Sequence, residues 1–230
     1  MAHEQFFFSQ NINRDILRFE HDEHHHLSRV LRKKVGDIIW GSNGDGMAYE
    51  TKIISIAEND TNCKIINAYS LWGEPQNRVS LAVGIIKPSH WEIMLEKSVE
   101  LGVYEIFPLI TRYTVKTGIK RERNENIILS AVKQCGRSRI PILHEPMQYS
   151  EFIQIKRSET MYICDNQDDY PSLEAGSDQH NYMVLIGPEG GFHSDEVAQA
   201  ITNSCQSVLL SNRRLRTETA CLMALSRLVV

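Results

Sequence analysis

Ile186-Gly-Pro-Glu-Gly-Gly-Phe192 and its companion Leu210-Ser-Asn-Arg-Arg-Leu-Arg-Thr-Glu-Thr-Ala220 carry the clearest mark of the chain's architecture. Each segment leaves an apolar run and enters a helical pattern. The runs are residues 182–186 and 207–210; the helices fit 194–204 and 217–228. A continuous apolar run marks a strand buried on both faces. Two strand-loop-helix joints in succession therefore predict an α/β fold with a parallel sheet. In such sheets ligands bind in crevices beyond the C-terminal ends of the strands, where both segments stand.

The same alternation extends back from these loops. Residues 79–86 form another continuous apolar run. Ser89-His-Trp-Glu92 has the form of a capping box, opening a helix with an apolar stripe of Trp91, Met94, Leu95 and Val99. Gly102 stops it. A strand is expected at 103–110, and a helix at 122–135 turns Ile127, Ile128, Ala131, Val132 and Cys135 inward before Gly136. Strands at 140–143 and 161–164 and a helix at 149–156 complete this half. Before the break at Leu71-Trp-Gly-Glu-Pro-Gln-Asn77 the pattern differs. Short runs at 6–8, 35–40, 47–56 and 62–68 read as strands of a small β-rich domain. Gly41-Ser-Asn-Gly-Asp-Gly46 lies between two of them and reads as a hairpin turn. No helix pattern and no Gly-Lys-Ser/Thr follows it, so a phosphate loop is rejected.

Composition narrows the class. With 42% hydrophobic and 23% charged residues, the 230-residue chain has a globular balance. No run approaches the roughly 18 apolar residues of a membrane span. Met1-Ala-His-Glu-Gln-Phe shows no secretory pattern. Five scattered cysteines without a C-x-x-C pair predict free thiols in a reducing cytoplasm. Net charge is −4, but it is segregated. Residues 112–139 carry eight Lys/Arg against Glu122 and Glu125, whereas 140–200 carry two basic against eleven acidic residues. RNA phosphate responds to local field, so the basic segment permits an RNA partner; a solvated helix face reads equally well.

In the first loop, three glycines allow close backbone approach and positive φ, and Pro188 stiffens the turn. The acidic turn Ser194-Asp195-Glu196 already occupies the positive end of the next helix dipole, which disfavours phosphate. Free backbone donors without a basic side chain suit an uncharged base such as adenine; a tight turn without a ligand is the alternative. In the second loop, Arg213, Arg214 and Arg216 crowd beside Glu218. Their counter-charge is either RNA phosphate or Glu218 itself. Thr217 or Thr219 is expected to cap the last helix.

I-G-P-E-G-G-F followed after about twenty residues by L-x-x-R-x-L-R-T-E-T-A resembles the RsmE family of SPOUT-class methyltransferases, which modify N3 of a uridine in 16S ribosomal RNA. Further matches are His25-His-Leu-Ser-Arg-Val-Leu-Arg32 with Gly36-Asp37, Glu96-Lys-Ser-Val-Glu-Leu-Gly-Val103, Pro108-Leu-Ile-Thr111 and Lys133-Gln-Cys-Gly-Arg-Ser-Arg-Ile-Pro141. The resemblance implies S-adenosyl-L-methionine as cofactor. It implies a PUA-like, small β-barrel RNA-binding domain at 1–73 and a knotted SPOUT (trefoil-knot) domain at 74–230. It also implies a cytoplasmic homodimer acting on 16S rRNA or the small ribosomal subunit. Carried over by motif, Gly187, Glu189, Gly190, Leu210, Ser211, Leu215, Arg216 and Thr219 line the cofactor site. The chain departs from the family pattern at Ser211, usually glycine, at Arg214, usually aliphatic, and at Gln5, usually arginine.

Methyl transfer to uridine N3 requires loss of the N3 proton. Arg216 is expected to stabilise the developing imide anion, oriented by Glu218 or Glu189, with Glu218 as general base the alternative. Arg29, Arg32, Arg137 and Arg139 are expected on RNA backbone, with Lys33 and Lys34 beside the first two. His21, His24, His25 and His26 lack a partner cluster, so no metal is expected there and they pack or meet RNA. Two other classes compete. One is a catalytically silent RNA-binding protein on this scaffold, or an enzyme acting at a different RNA position. The other is a nucleotide-dependent oxidoreductase, disfavoured because Lys-Pro-Ser rather than G-x-G-x-x-G follows the strand at 79–86.

Overall fold

The structure, a computed structural model, describes residues 6–115, 117–165, 170–176 and 180–229. Gln5 and Lys116 lie outside them. The chain divides into two compact units. One holds the residues up to Glu74 together with Leu129–Ile140; the other holds Pro75–Ile128 and the residues from Pro141 onward.

The first unit is a six-stranded sheet built from β1 (Phe6–Phe8), β2 (Ile12–Asn13), β3 (Ile16–Glu20), β4 (Ile38–Ser42), β5 (Met47–Ile56) and β6 (Asp60–Ser70). Its order is β1-β4-β5-β6-β3-β2. Among the described residues no pairing of β1 with β2 closes the expected barrel. Strands β2 and β3 were not expected, although Leu17 and Phe19 alternate inward with period 2. They join Phe7, Leu27, Ile39, Ile53 and Cys63 in one buried cluster. A short helix α1 (His21–His25) runs into a π-helical turn at His26–Val30. The β4–β5 connection is the expected hairpin, with Gly44 and Gly46 at φ +83° and +108°.

Leu129–Ile140 groups with this unit because its end runs along the hairpin. The Ser138 carbonyl accepts from Ser42 Oγ at 2.8 Å and from the Gly46 amide at 3.0 Å. The Ile140 amide donates to the Gly44 carbonyl at 3.0 Å. Arg137 is buried and donates through Nη2 to Glu74 at 2.6 Å. The expectation of a phosphate contact at Arg137 is thereby corrected: its guanidinium is spent on an internal carboxylate.

The second unit alternates as expected. Its elements are β7 (Arg78–Gly84), α2 (Pro88–Glu100), β8 (Glu105–Ile110), the start of α3 (Arg121–Cys135), which passes into the first unit at Leu129, β9 (Ile142–Leu143), β10 (Met147–Gln148) and α4 (Tyr149–Phe152). They continue with β11 (Thr160–Cys164), β12 (Asn181–Ile186), α5 (Ser194–Thr202), β13 (Gln206–Val208) and α6 (Thr217–Leu228). All pairings are parallel, in the order β10-β8-β7-β12-β11-β13, with β9 also on β8. Strand β12 thus lies between β7 and β11, so the C-terminal ends of β7, β11 and β12 are brought side by side. On one face Met183 and Leu185 of β12 pack with Tyr149 and Phe152 of α4 and Val197 and Ala200 of α5. Helices α2 and α6 pack on each other, and α6 also contacts β7 and β12.

Two local expectations change. Helix α2 starts at Pro88 after an N-cap at Lys87, and Ser89 makes no capping bond. Proline suits that first position because its φ is preset and no amide donor is needed there. The helix expected at 149–156 stops at Phe152, with Ile153 as C-cap. Among the described residues no helix is long and apolar enough to cross a membrane.

Candidate active site

The first loop is shaped by contacts that leave no room for side chains. A Cβ on Gly84, at the end of β7, would meet Pro188 Cδ at 2.4 Å and Pro188 N at 2.6 Å. A Cβ on Gly187 would meet the Gly191 carbonyl carbon at 2.6 Å. Gly191 takes φ +73°, and its amide closes a turn onto the Pro188 carbonyl at 2.8 Å. Gly84→Ala should therefore lower the unfolding free energy by about 1–3 kcal/mol, the usual cost of overpacking. The urea midpoint reads this, and an unchanged midpoint would show that the loop yields freely.

The acidic first turn of α5 is used locally. His193 is its N-cap, and Glu196 Oε2 accepts from the His193 amide at 2.8 Å. Glu196 Oε1 accepts from the Arg112 amide at 2.9 Å. These bonds hold the segment carrying Tyr113, against which Gly190 is packed.

The second loop is tied to the first at two points. Thr217 is buried, and its hydroxyl donates to the Gly187 carbonyl at 3.0 Å. Arg214 Nη2 donates to the Glu189 carbonyl at 3.1 Å. Arg216, not a threonine, is the N-cap of α6, and no side-chain bond caps that helix. Ser211 accepts from the Arg213 amide at 3.1 Å. It is absent from the non-glycine residues with positive φ, so serine replaces glycine there without backbone strain.

Two cavities open on these loops. The first, about 320 Å³, is lined by residues 186–192 with Cys164, Asp165, Leu210, Arg214, Leu215, Thr217 and Ala220. The second, about 440 Å³, is lined by Lys87, His90, Arg216 and Glu218. It shares Pro188, Glu189, Arg214, Leu215 and Thr217 with the first. Of the expected residues, Gly187, Glu189, Gly190, Leu210 and Leu215 line the first cavity, whereas Arg216 and Glu218 line the second. Ser211 and Thr219 line neither, and Thr219 is exposed.

The carboxylates are engaged otherwise than expected. Glu218 Oε1 lies 2.8 Å from His90 Nδ1, and Glu189 Oε1 accepts from the Lys87 amide at 3.3 Å. Neither orients Arg216, whose exposed guanidinium has no hydrogen-bond or ion-pair partner among the described residues. His90 was missed because its motif reads as a helix cap. Cys164 and Asp165 were missed although the end of β11 is where the strand-end rule points. Burial pushes the Cys164 thiol up, so at neutral pH it is an uncharged wall of the first cavity.

The basic segment is largely neutralised. Arg112, Arg121, Arg123, Lys133 and Arg137 each sit against a carboxylate: Asp195, Glu125 with Glu145, Glu92, Glu23 and Glu74. Arg29 and Arg32 are exposed, and Arg139 is half-buried. His24 is buried against Thr61 Oγ1 at 2.8 Å. Among the described residues no group of three potential ligands is placed to hold a metal ion.

Residues 73–229 match the RNA methyltransferase domain family, and residues 20–66 match the RNA methyltransferase PUA domain family. The chain is 30% identical to ribosomal RNA small subunit methyltransferase E of Synechocystis, over 89% of this chain and 69% of that protein. It is similar to the crystal structure of ribosomal RNA small subunit methyltransferase E from Neisseria gonorrhoeae bound to S-adenosyl methionine. There the TM-score is 0.85 at 27% identity, with 97% of this chain and 96% of that chain covered. A Legionella pneumophila methyltransferase solved with bound cofactor SAM gives a TM-score of 0.80 at 27% identity, covering 98% and 96%.

Proposed function

The chain belongs to the ribosomal RNA small subunit methyltransferase E family, and on that premise we propose that it transfers a methyl group from S-adenosyl-L-methionine to N3 of a uridine in 16S ribosomal RNA. The observation that carries this reading is the pair of cavities with a common wall, one glycine-lined and largely uncharged, the other rich in charged side chains.

The first cavity fits the cofactor. Gly187 and Gly190 leave backbone where a side chain would intrude, and Ile186, Leu210 and Leu215 supply apolar surface for an adenine. Glu189 and Asp165 supply carboxylates for the ribose hydroxyls or the cationic end. When bound, the cofactor supplies an electrophilic methyl group on a sulfonium. The second cavity takes the uridine. Arg216 stabilises negative charge as the uracil imide loses its proton, and Lys87 and Arg214 hold phosphate. Thr217 and Arg214 fix the two loops together, so the wall common to both cavities is built before either ligand would bind.

In this reading residues 1–73 are a PUA-like RNA-binding domain and 74–230 a SPOUT domain. In the same reading the second domain carries a trefoil knot and the protein works as a cytoplasmic homodimer, as the family resemblance implies. Exposed Arg29 and Arg32, with Arg139, contact RNA backbone. Replacing Arg29 and Arg32 by glutamine should reduce the slope of log affinity against log salt by about 0.7–0.9 for each phosphate that the two arginines neutralise. An unchanged slope would remove both residues from the interface. The function itself is tested by mass mapping of methylated uridine in ribosomal RNA from cells lacking the gene. Expression of this chain should restore the N3-methyluridine; failure to restore it would overturn the reading.

A further inference from the structure

We infer that His90 is the base that accepts the N3 proton of the target uridine, held for that task by Glu218. The inference rests on the reaction proposed above. Arg216 answers the charge of the imide anion, but an arginine does not take a proton at neutral pH. A proton acceptor has to stand in the same cavity. Its ionisable lining consists of Lys87, His90, Glu189, Arg214, Arg216 and Glu218. Lysine and the two arginines are donors. Glu189 is engaged with the Lys87 amide and forms the wall toward the first cavity. His90 and Glu218 remain, and they are bonded to each other.

Their geometry assigns the roles. Nδ1 of His90 lies 2.8 Å from Glu218 Oε1, and the Glu218 side chain is the more enclosed of the two, 14% exposed against 32%. A carboxylate only accepts hydrogen bonds, so the imidazole proton sits on Nδ1 and the lone pair is left on Nε2. Among the described residues no hydrogen bond occupies Nε2. Glu218 lies in the first turn of α6, the end of a helix that favours an acidic side chain. His90 stands in the first turns of α2, which packs on α6. The pair is therefore fixed by two helices rather than by a loop.

The step balances. The N3–H bond breaks and its proton passes to Nε2. The N3 electron pair forms the new N–CH3 bond, and the S–CH3 pair stays on sulfur. The imidazolium beside Glu218 then loses its proton to solvent through its part-exposed side.

The test uses the full chain, small-subunit RNA with uridine or 5-fluorouridine at the target, and single-turnover rates. His90→Gln should slow methylation of the uridine RNA about 100-fold while leaving cofactor affinity, measured by calorimetry, within twofold. The more acidic imide of 5-fluorouridine needs less help in losing its proton. It should recover at least tenfold of that loss, which a merely structural role of His90 would not produce. Glu218→Gln should show the same selective recovery. In the wild-type protein, 15N spectra should show His90 protonated on Nδ1. An equal loss on both RNAs, a rate within threefold of wild type, or a neutral His90 protonated on Nε2 would each overturn the assignment. The 15N measurement decides even if the variants fold poorly. A wild-type chain that forms no N3-methyluridine would instead remove the reaction, and the assignment with it.

Discussion

Arg216→Ala should cut single-turnover methylation by about 10²–10³-fold and leave cofactor binding nearly unchanged. The magnitude is that of removing one donor from a developing anion, about 2.7–4 kcal/mol. The asymmetry follows from position. Arg216 lines the second cavity and not the first, and its guanidinium holds up neither loop. The ties between the loops come from Thr217 and Arg214, which the substitution leaves in place. Rapid-quench rates alongside calorimetric titration of the cofactor separate the two effects. Normal turnover with normal affinity would take Arg216 out of the reaction. A parallel fall in both would make it part of the cofactor wall.

Glu74→Ala should destabilise the first unit by about 3–5 kcal/mol, the cost of leaving a buried charge without its counter-ion. Glu74 and Arg137 side chains are 7% and 3% exposed and 2.6 Å apart. The same carboxylate accepts from the Arg139 amide at 3.0 Å, so the substitution also removes a bond that holds Leu129–Ile140 in this unit. A shift of the urea midpoint at constant slope reads the loss. Glu74→Leu with Arg137→Met should recover much of it, because an apolar pair of similar size needs no counter-charge. A shift below about 1 kcal/mol in the single variant would mean that water reaches the site.

Much of the second unit was legible in the sequence because burial on both faces writes itself as continuous apolar runs. The runs at 79–86 and 182–186 correspond to β7 and β12, and the expected 217–228 is α6. The first unit was harder. Strand β3 has only five residues, and its buried Leu17 and Phe19 are too few to stand out from a loop without their partners on β6. Helix ends were misread where a generic pattern met a specific alternative. Ser89 fits a capping box, but Pro88 starts α2 with no need of one.

That two glycine- and arginine-bearing loops follow buried parallel strands, and that their motifs belong together, is already written in the order of residues. Those are local facts: a strand's burial and a glycine's freedom are properties of neighbours in the chain. What the charged residues do depends on contacts made across the fold. Arg137 looks like a phosphate ligand until Glu74, far away in sequence, is found beside it. Glu218 looks like a partner of Arg216 until α2 brings His90 to 2.8 Å. A charge has no periodicity and no preferred neighbour in the chain. Its partner is set by which elements the sheet order places together, and β12 between β7 and β11 is an arrangement that no local pattern records.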